Sequence, residues 1–203
     1  VNGMTPVDSI ERACYALPLP QVLHDNGYHT IHCGKAHLGA IGTPAANPLN
    51  LGFDVNIAGH ACGGPASYLG EDNFGNWLVD GKPNIWGIPG LEKYYGKDIF
   101  LSEALTLEAM AALDRRPRNK PFFLYMSHYA VHVPLNKDKR FYQKYINQGL
   151  DPREAMYAAL LEGMDKSLGD LMDYLQRNGL EQNTIVIFMS DNGGLSATNA
   201  RGG

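Results

Sequence analysis

The chain is 203 residues long, enough for one substantial domain core. Its hydrophobic fraction of 44% and charged fraction of 19% are ordinary for a globular domain, and a net charge of −4 argues against a general nucleic-acid surface. No apolar run reaches the length of a membrane span, and the opening VNGMTPVDS lacks the charged and apolar regions of a signal peptide.

In chain order, Leu17–Asn26 is a short predicted helix, with prolines near its start and Gly27 as its stop. Tyr28–Cys33 follows as a strand, and Gly34 lets the backbone turn so that Lys35 and His37 fall on the loop beyond it. Phe53–Ile57 is another short strand. Residues 59–96 are rich in Gly, Pro and aromatics and lack periodicity. A stretch of that length is either functional or disordered, and its aromatics argue against disorder. Within it, Trp77–Val79 followed by Asp80-Gly81 reads as a hairpin. Asp98–Asp114 is a helix with Leu101, Leu105, Ala109 and Ala112/Leu113 on one stripe. Phe122–Met126 is a buried strand, and His132 follows it before Val133-Pro134. Asp151–Asn178 is the clearest helix: Asp151 caps it, Pro152 opens it, Glu154 completes a capping box, and Leu161, Met164, Leu168, Leu171 and Leu175 form its apolar stripe. Thr184–Ser190 is read as a last central strand, delivering Asp191 and Asn192 at its end.

Alternating helices and strands of this kind predict an α/β domain with a mainly parallel sheet flanked by helices. Cys14, Cys33 and Cys62 form neither a disulfide framework nor a CxxC metal pattern. Cys33 reads as a small buried residue, and the other two as packed or free thiols. In an open α/β sheet, sites form outside the carboxyl ends of the strands. Three predicted strands deliver Lys35, His37, His132, Asp191 and Asn192 to that edge. Asp-Asn-Gly alone favours an exposed Asn-Gly turn, but the other two segments reverse that weighting in favour of a single cleft. Lys and His donors beside a hard cation such as Ca²⁺ or Mg²⁺ suit hydrolysis of a sulfate or phosphate ester.

Three segments carry a family resemblance. Gly34-Lys35-Ala36-His37-Leu38-Gly39, led in by Gly27-Tyr28-His29-Thr30, resembles the Gly-Lys-Trp-His-Leu-Gly signature of the type I, formylglycine-dependent sulfatases, members of the alkaline phosphatase superfamily. Ala130-Val131-His132-Val133-Pro134 is similar to their Ala-Pro-His-x-Pro segment, and Ser190-Asp191-Asn192-Gly193-Gly194 to their Ser-Asp-Asn-Gly metal segment. The order and spacing match over nearly the whole chain. The resemblance implies an alkaline-phosphatase-like fold. Lys35 and His37 would bind sulfate and assist the nucleophile or leaving group, His132 would act as general acid on the ester oxygen, and Asp191 and Asn192 would ligate Ca²⁺, with Mg²⁺ as the alternative. Ala36 stands where the family has Trp, and Val131 where it has Pro.

The family's Cys/Ser-x-Pro/Ala-Ser-Arg motif, whose Cys or Ser becomes formylglycine, has no match: Cys14 is followed by Tyr-Ala-Leu-Pro and Cys62 by Gly-Gly-Pro-Ala. The family's paired N-terminal aspartates are missing too, and the chain stops at Arg201-Gly202-Gly203, where the family continues to a lysine. The resemblance therefore implies an internal fragment, residues 1–203 being part of a sulfatase's large N-terminal catalytic domain with residues 59–96 as an insertion. It implies a sulfated small molecule or glycan as partner and a periplasmic or extracellular location. The fragment alone is expected to be inactive. Two alternatives stay open: a phosphodiesterase or phosphonate hydrolase of the same superfamily, and a non-catalytic binding protein that lost the nucleophile.

Overall fold

The computed structural model describes residues 16–194; Cys14 and the closing ATNARGG segment lie outside them. Along the chain run α1 (Leu19–Asp25), β1 (His29–Gly34), β2 (Val55–Ile57), β3 (Leu78–Val79), β4 (Lys82–Pro83), α2 (Leu101–Arg115), β5 (Phe122–Ser127), α3 (Tyr142–Asn147) and α4 (Pro152–Arg177). The α/β class is as expected. The chain divides between Tyr129 and Ala130 into two units.

The first unit is built on a parallel sheet of order β2-β1-β5. β1 pairs with β5 from His29↔Phe122 to Gly34↔Ser127, and with β2 from Ile31↔Val55 to Cys33↔Ile57. As the central strand, β1 is covered on both faces, and Thr30 to Gly34 are all buried. The stripe of α2 is buried as read, at Leu101, Leu105, Ala109, Ala112 and Leu113. Cys33 lies against this helix, its thiol 3.4 Å from the Leu105 carbonyl, and burial pushes that thiol's pKa far up. It is a packing residue, as its place in the strand implied.

Residues 59–96 are ordered by packing rather than by repeating hydrogen bonds. Tyr68, Phe74, Ile88 and Leu91 are fully buried. The hairpin β3–β4 closes through Asp80 and Gly81, both with positive φ, which is what a two-residue hairpin turn requires.

In the second unit, the Asp151 carboxylate caps α4 by accepting from the Arg153 and Glu154 amides at 2.9 and 3.2 Å. The buried face of α4 differs from the leucine stripe read from the sequence. It runs through Ala155, Ala159, Leu160, Gly163, Ser167, Tyr174 and Leu175, while Leu161 is exposed and Met164, Leu168 and Leu171 are half-buried. Small residues decide the packed face because they admit a close neighbour. A Cβ on Gly163 would stand 3.1 Å from Oδ2 of the buried Asp138, which pairs with Arg140 at 2.7 Å.

The strand expected at Thr184–Ser190 does not form. A short 3₁₀ turn at Glu181–Asn183 leads into an unpaired segment in which Ile185, Ile187, Phe188 and Met189 are 65–90% exposed. A strand is made by pairing its N–H and C=O groups, and no described residue pairs with these. An apolar run alone does not identify a strand. No helix among the described residues is long and apolar enough to cross a membrane.

Candidate functional site

The loop after β1 is fastened to the end of β5. Gly34 has φ +111°, and a Cβ there would fall 1.8 Å from the Ser127 carbonyl oxygen, so only glycine permits this approach. The next residue continues the ladder, with the Lys35 amide donating to that same carbonyl at 2.7 Å. In return, the Lys35 carbonyl accepts from Ser127 Oγ at 2.6 Å and lies 3.2 Å from His32 Nε2. Lys35 is half-buried, and its backbone is thus held on three sides.

His37 adopts positive φ, rare for a residue with a side chain. Its amide donates to the His60 carbonyl at 3.0 Å, and its ring packs against Gly63, where a Cβ would meet Nδ1 at 2.5 Å. His60 is pushed toward its neutral form by burial first and by the nearby His37 second. Its Nε2 has no hydrogen-bond partner among the described residues, nor has Nδ1 of His128, an enclosed nitrogen on a ring whose pKa burial lowers to about 4. Ala36, at the family's Trp position, is itself buried. Cys62 is buried beside this loop with its thiol 2.9 Å from the Ile85 carbonyl, and burial raises its pKa, which is opposite to what a reactive thiol needs.

The structure therefore brings Lys35 and His37 together on one loop at the carboxyl edge of the first unit's sheet. The other three sequence-read residues belong to the second unit. His132 is exposed, with Nδ1 2.8 Å from the Val133 carbonyl. Asp191 and Asn192 sit on an exposed, self-bonded turn. The Asn192 amide and Nδ2 donate to the Asp191 carboxylate at 2.8 and 3.0 Å, and Gly193 N donates to Ser190 Oγ at 3.0 Å. The exposed-turn reading of Asp-Asn-Gly is the geometry observed, and no strand delivers it. Two adjacent oxygen donors suit Ca²⁺ chemically but fall short of the roughly six to eight ligands it takes. No group of three His, Cys, Asp or Glu able to hold a metal occurs among the described residues. The described residues do not make a complete cation site, and no step is routed through one.

A family model described as Sulfatase matches residues 2–203. The chain belongs to the sulfatase family. It is 30% identical over 200 residues to the N-acetylgalactosamine-6-sulfatase of Mus musculus, covering 91% of this chain and 34% of that protein. It is also 30% identical over 184 residues to Arylsulfatase J of Mus musculus, covering 87% and 29%. Among solved structures it resembles Ps i-CgsB in complex with k-i-k-neocarrahexaose, with a TM-score of 0.61 and 25% identity over 79% of this chain and 36% of that one. The chain spans about a third of the length of these relatives. The resemblance read from the three motifs is borne out at the level of family and fold.

Sequence reading passed over Ser127, Asn56, His60 and His32. Ser127 was detectable as the residue just past the Phe122–Met126 run. His32 and Asn56 carried a weaker signal, as polar residues inside strand-like stretches.

Proposed function

We propose that the chain is part of a sulfatase's large N-terminal catalytic domain, and that its loop at Lys35–His37 binds the sulfate of a carbohydrate sulfate ester. The observation that carries this is the signature Gly34–Gly39 on a sharply held turn at the carboxyl end of a central parallel strand, where α/β folds bind ligands. The Lys35 ammonium offsets charge on the sulfate oxygens, and His37 donates a hydrogen bond to them. His132, exposed on its loop, protonates the leaving sugar oxygen as the S–O bond breaks. No residue of the chain stands in the nucleophile motif, so no covalent step is assigned to it.

A carbohydrate is favoured by two observations. The relatives' names include an N-acetylgalactosamine-6-sulfatase and a complex with a neocarrahexaose. Residues 59–96 also present Trp77 and Trp86 half-exposed beside the hairpin, and aromatic faces suit the apolar faces of sugar rings. The Ala66 amide donates to the Trp86 carbonyl at 2.9 Å, and Cys62 bonds Ile85, so this edge is fixed to the segment carrying Gly63 and hence to His37. The compartment that fits such a substrate is periplasmic or extracellular.

The natural full-length protein should turn over an aryl or sugar sulfate. His132→Ala in it should lower turnover roughly 10²–10⁴-fold, while the 203 residues alone should hydrolyse nothing above background. Turnover by the isolated 203-residue chain, or a clear preference for phosphodiesters in the full-length protein, would overturn the reading.

A further inference from the structure

His32 lies in the middle of β1 with no exposed surface. Phe53 packs edge-on to its ring at 5.2 Å, and Tyr125 lies 5.7 Å away. A leucine would fill such a site if packing were all that mattered. The ring instead serves two different segments. Nε2 is 3.2 Å from the Lys35 carbonyl, and Nδ1 is 3.0 Å from Asn56 Oδ1 on the register-matched residue of β2. The Asn56 amide is oriented by Gly59, since Nδ2 donates to the Gly59 carbonyl at 2.9 Å and the Gly59 amide donates to Oδ1 at 3.2 Å. Gly59 is packed on the same ring, and a Cβ there would come within 2.5 Å of His32 Cε1. The residue after it is His60, whose carbonyl holds the His37 amide.

We propose that His32 is a positioning residue. The Nδ1–H donates to Asn56 Oδ1 and fixes the Asn56–Gly59 turn that sets His37, while the Nε2 edge packs against the Lys35 carbonyl and the Ser127 hydroxyl that holds it, so the two anion-binding side chains are held in one frame by a ring that touches no substrate. This rests on Lys35 and His37 being the sulfate-binding pair. Ser127 completes the device. Burial lowers the ring's pKa to about 4, so it is neutral near pH 7 and donates one hydrogen bond. The Ser127 hydroxyl, 2.6 Å from the Lys35 carbonyl and 3.4 Å from Nε2, supplies the second donor that the two acceptors need.

The test compares His32→Gln with His32→Asn in the natural full-length protein. The glutamine amide nitrogen reaches the place of Nε2, and the asparagine amide nitrogen the place of Nδ1. Both variants lose the ring, so a packing role predicts activity that follows stability alone. A positioning role through the Asn56–Gly59 turn predicts kcat/KM within about fivefold of wild type for Asn, and about 10²-fold lower for Gln at similar Tm, the size expected for a misplacement near 1 Å. Affinity for inorganic sulfate, measured by calorimetry, should fall about tenfold in Gln and hold in Asn. Equal effects in the two variants, or losses that track Tm, overturn the proposal. If wild type binds sulfate with this variant pattern yet turns over no sulfate ester, the functional reading fails and the positioning role stands. Should neither variant fold, Ser127→Ala decides on the Lys35 side of the same frame: a raised KM at unchanged Tm supports the proposal, and an unchanged KM overturns it.

Discussion

The two units contain nearly the same kind of segment and fold it differently. In the first, Thr30-Ile31-His32-Cys33 runs into a polar loop, lies between two partner strands and is wholly buried. In the second, Ile185-Val186-Ile187-Phe188-Met189 also runs into a polar loop, yet no described residue pairs with it and it is exposed along its length. The exposed run is the more apolar of the two. Composition qualifies a segment for a sheet, and a ladder partner admits it. The contrast extends to the loops beyond. Lys35 is held by the sheet's own last hydrogen bonds, whereas the Asp191 carboxylate accepts from the amide and Nδ2 of the adjacent Asn192 on an exposed turn.

The largest expected effect comes from Gly34. Gly34→Ala places a methyl group on the Ser127 carbonyl and forces an alanine into positive φ, so it should cost about 4 kcal/mol or more and leave the first unit largely unfolded by circular dichroism. A folded Gly34→Ala would mean that the turn is far looser than its geometry. Next comes a matched pair. Leu105→Ala, fully buried in α2, should cost about 2–5 kcal/mol in chemical denaturation. Phe188→Ser, 65% exposed, should change stability by less than about 0.5 kcal/mol. A cost above about 2 kcal/mol at Phe188 would break the comparison, because it would require that side chain to be packed.

A third test uses acid. His32 and His128 both have pKa values near 4 in the fold, against 6.5 when unfolded. The unfolded chain binds more protons between these values, so stability present above pH 6.5 is lost as pH falls toward 4, by about 3 kcal/mol for each ring. Both rings lie in the first unit, so its unfolding should carry the pH dependence. His60 is shifted in the same direction, so replacing His32 with Gln should remove part of the dependence, and an unchanged slope in that variant would refute the assignment. The smallest effect is at the second unit's turn. Calorimetry on the 203-residue chain should find Ca²⁺ binding no tighter than about 1 mM, and micromolar affinity would show that more ligands reach Asp191 than its own turn supplies.

Much of the first unit was legible because its signals were local. Gly27 and Gly34 bracketed β1, the apolar spacing of α2 named its buried residues, and Asp80-Gly81 declared its hairpin. The family motifs named Lys35 and His37, and the loop on which they meet was readable from Gly34. What stayed hidden depended on distant partners. Nothing near Thr184 reveals whether a neighbouring strand is present. The packed face of α4 was misread because leucine content was weighted over the small residues Ala155, Ala159 and Gly163, which allow close approach. His32 and Asn56 could not be paired before the register placed them side by side.

The way Lys35 is held has a consequence for how this protein can be varied. Its loop is shaped by main-chain atoms of residue 35, the hydroxyl of Ser127, the ring of His32 and the absence of a side chain at Gly34. None of these is the lysine side chain itself. The ammonium group is thus a replaceable fitting on a frame that other residues build. A substitution at this position keeps every one of those main-chain bonds, so the turn's hydrogen-bonded frame does not depend on which side chain it carries.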